Sequence, residues 1–149
     1  MVIKLGPPVE ALSIHCYAYK AVAEGQVVEY AVDSNNNVVP TFTYAGDTYV
    51  SVQPITSTSN KGIGVAKNGV AAGEIVEVIL LGVVTLTASG AIGTGAAVIL
   101  DTAAGKQGQV ADNGAADNDL VVGNALEAAA QAGDKIRVLW KGSRTWGAG

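Results

Sequence analysis

What most constrains this chain is its punctuation. Short runs rich in Val, Ile, Thr and Tyr are separated by clusters of Gly, Asn and Asp, and no segment holds a long helical period. The best helical candidate, residues 127–132 (EAAAQA), is about two turns at most and stands between two strand-like runs, so it reads as a loop or a single helical turn. The 19 Gly among 149 residues supply the turns that many short strands require. The fold class that follows is all-β: a small Gly-rich β-barrel or tulip-like sandwich, in one domain at this length.

Self-comparison adds an internal two-hairpin duplication. Residues 72–82 (AGEIVEVILLG) match residues 132–142 (AGDKIRVLWKG) at a spacing of 60, each with an acid after Gly and then alternating apolar positions. Each is preceded by another short apolar run opening with Gly, at Gly64 and at Gly123, and the second connecting loop is one residue longer. Upstream, residues 23–39 align with residues 93–110 at a spacing of 70, placing Gly25 on Gly95, Val28 on Val98 and Tyr30 on Leu100. The expected organisation is an N-terminal arm (1–14), a β domain (15–140) of two similar halves (about 15–88 and 89–140) with an insert at 41–60, and a tail (141–149).

Strand faces bear on assembly. In residues 135–141, Ile136, Val138 and Trp140 share one face, while Lys135, Arg137 and Lys141 share the other with Leu139, which predicts a core face and a solvent face. In residues 75–81 the face opposite Val76, Val78 and Leu80 carries Ile75, Glu77, Ile79 and Leu81, so it too is largely apolar. A strand apolar on both faces is buried on both, by a partner subunit or by a covering loop. Ile75, Ile79 and Leu81 are therefore candidate interface residues, joined by Arg144 and Trp146 of the tail because Arg and Trp are enriched at interface centres.

Several function classes find little support. Thirteen acidic against nine basic residues give a net charge of −4, the wrong sign for a phosphate-backbone binder, so no nucleic-acid partner is expected. The single Cys permits no internal disulfide and suits a reducing cytosol. The start, MVIKLGPPVEALS, has no continuous apolar stretch before Pro7 and Pro8, so no secretory leader is expected and the mature protein should begin near Met1. The 23 uncharged residues 78–100 are long enough to cross a bilayer, but Gly82, Gly90, Gly93 and Gly95 interrupt them and Glu77 and Asp101 flank them. Buried strands fit that stretch better than a membrane span, so no membrane partner is expected.

Chemistry is equally thin, and an enzyme is not expected. His15 and Cys16 are adjacent in a strand-like run, so their side chains point to opposite faces and do not meet. Asp33, Asn35 and Asn37 match the opening of a calcium loop, but Val38 stands at its Gly position and Tyr44 at its bidentate Glu position, so a hairpin turn is the better reading. Asp112, Asp117 and Asp119 lie in a polar loop read as a solvated turn, and no Cys/His pattern suits zinc. Gly93 and Gly95 are followed by a strand rather than a helix, which rules against a phosphate cradle. No cofactor and no metal are expected.

The blocks GVAKNGVAAGEIVEVILLGVVTLTASGAIGTGAAVILDTAAGK and VVGNALEAAAQAGDKIRVLW, in that order over residues 62–140, resemble the capsid cement, or head decoration, proteins of tailed bacteriophages. AEGQVVEYAVDSNNNVVP resembles the opening hairpin of that family. The resemblance implies a structural virion protein, made in the host cytoplasm, that binds the outer surface of an assembled capsid through the major capsid protein, commonly as a homotrimer, and stabilises the shell. The alternative is a small β-type carbohydrate- or ligand-binding module on a virion or cell surface, for which Phe42, Tyr44 and Tyr49 would supply the aromatics.

Overall fold

In the computed structural model, which describes residues 12–56, 62–101, 103–114 and 120–145, strands form one hydrogen-bonded network and no helix occurs among the described residues. In chain order they are β1 (Leu12–Ala18), β2 (Val27–Val32), β3 (Val38–Val39), β4 (Thr41–Tyr44), β5 (Asp47–Pro54), β6 (Gly64–Ala66), β7 (Ile75–Thr87), β8 (Ala97–Leu100), β9 (Val110–Asp112), β10 (Leu120–Ala125) and β11 (Lys135–Thr145). Residues 127–132 form bends and a turn with one bridge at Ala129.

The network runs β1-β5-β2-β6-β7-β11-β10-β8-β9, and β1 also pairs with β7, which closes β1, β5, β2, β6 and the first part of β7 into a five-stranded barrel. All these pairings are antiparallel except β1 with β5. The short hairpins β2–β3 and β4–β5 hang from this barrel, while β11, β10, β8 and β9 extend the sheet from the second part of β7.

The hydrogen bonds repeat between the halves at the spacings read from the sequence. Ala18 N–H donates to Glu74 O at 2.9 Å and Gly73 N–H to Ala18 O at 2.7 Å; later in the chain Ala88 N–H donates to Asp134 O at 2.8 Å and Gly133 N–H to Ala88 O at 2.9 Å. Gly25 N–H donates to Ala66 O and Gly95 N–H to Ala125 O, and the bridge between Val22 and Val70 has its counterpart between Ile92 and Ala129. The acid after each Gly closes its own turn: Glu74 accepts the N–H of Ala71, and Asp134 accepts those of Ala130 and Gln131. Ladder registers agree, with Ile14 opposite Val78 and Cys16 opposite Val76 in one half, and Val84 opposite Val138 and Leu86 opposite Ile136 in the other. Residues 82–88 thus stand in the second half where β1 stands in the first, and β7 serves both.

Two cores result. Val28, Val52, Val76, Val78, Cys16 and Ala66 fill the first barrel, while Val84, Leu86, Val98, Leu100, Ile136, Val138 and Trp140 belong to the second core. Strands β2 and β6 are sandwiched between the two. Val27 and Val65 point into the second core, and their chain neighbours Val28 and Ala66 into the first. Packing that close needs Gly64, where an added Cβ would lie 2.5 Å from Val78 Cγ1 and 2.6 Å from Ile79 O, and its counterpart Gly123, where it would collide with Leu139 O. Gly64→Ala and Gly123→Ala should each lower unfolding stability by about 1–3 kcal/mol through overpacking, whereas Gly90→Ala, with nothing within 4 Å of the new Cβ, should stay within about 0.5 kcal/mol of wild type in denaturant melts.

Candidate interaction surface

The outward positions of β7 are the odd-numbered ones, because Val76, Val78, Val84 and Leu86 point inward. Ile75 and Ile79 are half-buried, and Ile79 packs against the second core of its own chain. Leu81 is 45 % exposed; Leu12, opposite it on β1, is 60 % exposed, and Val83, two residues further along, 52 %. Three large apolar side chains are therefore exposed at neighbouring positions where the halves join. Arg144 stands on β11 opposite Val121, and Trp146 lies outside the described residues, as do residues 1–11 of the arm and 57–61. Sequence reasoning missed Leu12 and Val83, although Val83 continues the same alternation past Gly82.

Beside this strip lies a polar group. Glu77 accepts the Ser13 hydroxyl at 2.7 Å and Lys67 Nζ at 3.4 Å, and its N–H donates to Asn68 Oδ1. A third feature is aromatic: Tyr17 stacks on Phe42 with ring centroids 4.1 Å apart and 10° between planes, and Tyr44 lies 5.8 Å from Tyr17. Phe42 and Tyr44 reach Tyr17 because the β4–β5 hairpin folds beside β1, whose partner on that side is β5. The fourth is a groove of about 650 Å³ between the halves, lined by Gln26, Val65, Lys67, Thr85, Gly108 and Lys135 among others.

The titratable groups hold the scaffold. Glu29, on β2, is buried and accepts Gln53 Nε2 at 3.1 Å, the Thr56 N–H at 3.1 Å and the Thr56 hydroxyl at 2.9 Å, which ties β2 to β5. Asp33 accepts the N–H groups of Asn35 and Asn37, so the D-x-N-x-N run forms the β2–β3 turn, with Asn36 at φ 62°. Asp112 accepts the Gly114 N–H; Asp117 and Asp119 lie outside the described residues. No group of three or more metal-ligating side chains occurs among the described residues. His15 is exposed and Cys16 fully buried on the opposite face, where desolvation pushes the thiol pKa up to about 11. No helix among the described residues is long and apolar enough to cross a membrane.

Fold and surface together define an all-β protein that carries an apolar strip, a groove and an aromatic hairpin. The family profile of phage cement proteins matches residues 8–140, and the chain belongs to that family. It is a structural protein associated with the phage capsid. Among solved structures it is similar to the N base of head fiber gp8.5 in bacteriophage phi29, with a TM-score of 0.56 and 17 % identity over 91 % of this chain and 98 % of that one. That likeness is one of fold. No curated protein sequence matches the chain.

Among the described residues, four carboxyls titrate below their usual range. Asp33 is lowered by the Asn37 and Asn35 amides, Glu77 by the Ser13 hydroxyl and then Lys67, Asp101 by the Ser89 hydroxyl and then the Ala103 amide, and Glu127 by the Arg137 amide and then its side chain. A carboxyl whose folded pKa is depressed contributes stability that is complete above its unfolded pKa and is lost as pH falls through the folded value. The melting temperature should therefore hold from neutral pH to about pH 5 and drop below about pH 4. A melting temperature that rises on acidification below pH 4 contradicts this, as read by circular dichroism.

Proposed function

We propose that this protein binds the outer surface of an assembled phage head, contacts the major capsid protein there as a homotrimer, and stabilises the shell. The observation that carries the reading is the strip Leu12, Leu81 and Val83, exposed on a member of the cement family. Large apolar side chains grouped in water mark a contact surface, and here Leu81 and Val83 sit on the strand that both halves share, with Leu12 opposite Leu81 on β1. The acidic net charge fits a place away from the packaged DNA.

Linkage supplies the mechanism. A subunit that binds the assembled lattice but not its dissociated parts stabilises each site by RT ln(1 + [L]/Kd), about 2.7 kcal/mol at a hundredfold excess over Kd. Repeated over a shell, that increment opposes disassembly cooperatively. A trimer that touches several shell subunits gains further through effective concentration, so individual contacts can be weak. Co-sedimentation with heads assembled without this protein tests the reading. Leu81→Asp and Val83→Asp should each reduce occupancy about tenfold or more, with a melting temperature close to wild type because both positions are exposed. Unchanged occupancy of both variants contradicts the assigned surface, and a monomeric mass in solution contradicts the trimer.

A second reading, binding of carbohydrate on a virion or cell surface, rests on the aromatic group of Tyr17, Phe42 and Tyr44. Tyr17 and Phe42 already use one face each on the other, which leaves Tyr44, 43 % exposed, as the ring most open to a sugar. Binding on a glycan array that Tyr44→Ala abolishes would favour this reading.

A further inference from the structure

Charge is divided between two regions of the sheet. β11 carries Lys135, Arg137, Lys141 and Arg144 and no acid, which places four of the nine cations of the chain in 11 residues. Residues 21–60, which hold β2 to β5 and their two hairpins, carry Glu24, Glu29, Asp33 and Asp47 and no Lys or Arg. The formal charges are therefore +4 and −4. On the sheet, β7, β6 and β2 stand between β11 and β5, the strand that carries the β4 hairpin.

The basic region is a face. Ile136, Val138 and Trp140 point into the second core, so Lys135, Arg137 and Lys141 point outward and are exposed, with Leu139 half-buried among them opposite Val83. Their counterparts in the first half, at the spacing of 60, are Ile75, Glu77, Ile79 and Leu81, so the cations belong to the second half alone. Arg137 pairs with Glu127, but neither Lys135 nor Lys141 has an acidic partner among the described residues; Lys141 donates to Asn124 Oδ1 at 2.9 Å. The acidic region ends in two tips. Glu24 shares the groove with Lys135 without an ion pair and Glu29 is buried, which leaves Asp33 and Asp47 at the hairpin turns. Asp33 accepts the amides of its own turn, and Asp47 is exposed with no cation partner among the described residues. Between them in the chain, Val38 and Tyr44 are exposed, so the hairpins too carry apolar surface beside charge.

We propose that the outer face of β11 is the self-contact of the trimer and receives the β2–β3 and β4–β5 hairpins of the next copy. The inference rests on the homotrimer in the reading above and names its seam. The occupant is a second copy because this chain holds the complement, a hairpin region without cations for a strand without acids. A two-fold contact through either patch would set like charges against each other, which disfavours a symmetric pair. Two different patches that meet make a heterologous contact, and such contacts generate a ring when the rotation closes. Leu139 and Tyr44 supply apolar area at the seam, and the charges fix which patches meet.

Sedimentation of the free protein tests this, read as the concentration at which half of it is trimeric. Raising NaCl from about 0.05 to 0.5 M should raise that concentration at least about fivefold, because salt screens the pairs. Lys135→Glu combined with Lys141→Glu should raise it at least about tenfold, and so should Asp47→Lys. Lys106→Glu, a like reversal on an exposed loop, should leave it within about twofold of wild type. All four positions are exposed, so thermal melts should stay near wild type; if a variant fails to fold, the salt series on the wild-type protein decides. A trimer indifferent to salt overturns the inference, as does one that forms normally with the β11 face reversed. Reversal that lowers head occupancy and leaves the trimer intact also overturns it, because the face then meets the shell. A monomeric wild-type protein overturns the homotrimer as well, whereas a trimer that ignores these charges overturns the seam alone.

Discussion

The rest of the structure depends on β7 being one uninterrupted strand with two sets of partners. Its first half pairs with β1 and β6, and its second with β11, while Val76 and Val78 enter one core and Val84 and Leu86 the other. A strand of 13 residues cannot be cut into two rigid bodies without breaking its own backbone geometry, so the halves share a frame. Strands β2 and β6 strengthen that frame by burying both faces, Val27 with Val28 and Val65 with Ala66. The interior is hydrophobic on both sides of these strands, and hydrophobic burial is the dominant favourable contribution to folding.

The surface features follow from this frame. Leu12 and Leu81 are exposed opposite each other on β1 and β7, and Val83 continues the strip. Where β9 is shorter than β5, the second half meets the end of β7 through a single bridge, Ala88 with Val110. Membership of the phage cement family gives these contact features a setting, the phage capsid. The proposed attachment uses the apolar strip of Leu12, Leu81 and Val83.

Much of this was legible in the sequence, for physical reasons that particular residues show. The spacings of 60 and 70 were readable because a turn needs Gly at positive φ and an acid to accept its amides, and those demands recur at Gly73 with Glu74 and at Gly133 with Asp134. The inward face of β11 was readable because Ile136, Val138 and Trp140 alternate with a face that carries Lys135, Arg137 and Lys141. The Asp33 turn was readable because Val38 and Tyr44 spoil a calcium loop. The double service of β7 was not, since a long apolar run with one Gly looks the same whether one barrel or two share it. Nor was the groove, whose lining comes from segments far apart in the chain. The stack of Tyr17 on Phe42 joins segments 25 residues apart in the chain, and neither residue predicts it alone.

Native-state hydrogen exchange tests the shared strand most directly. The amides of Val76 and Val78 report the first half and those of Val84 and Leu86 the second. If β7 makes the halves one cooperative unit, all four open with the same free energy and shift together as denaturant is added. Two separate plateaus, one for each half, would show that the halves unfold independently and would contradict the account.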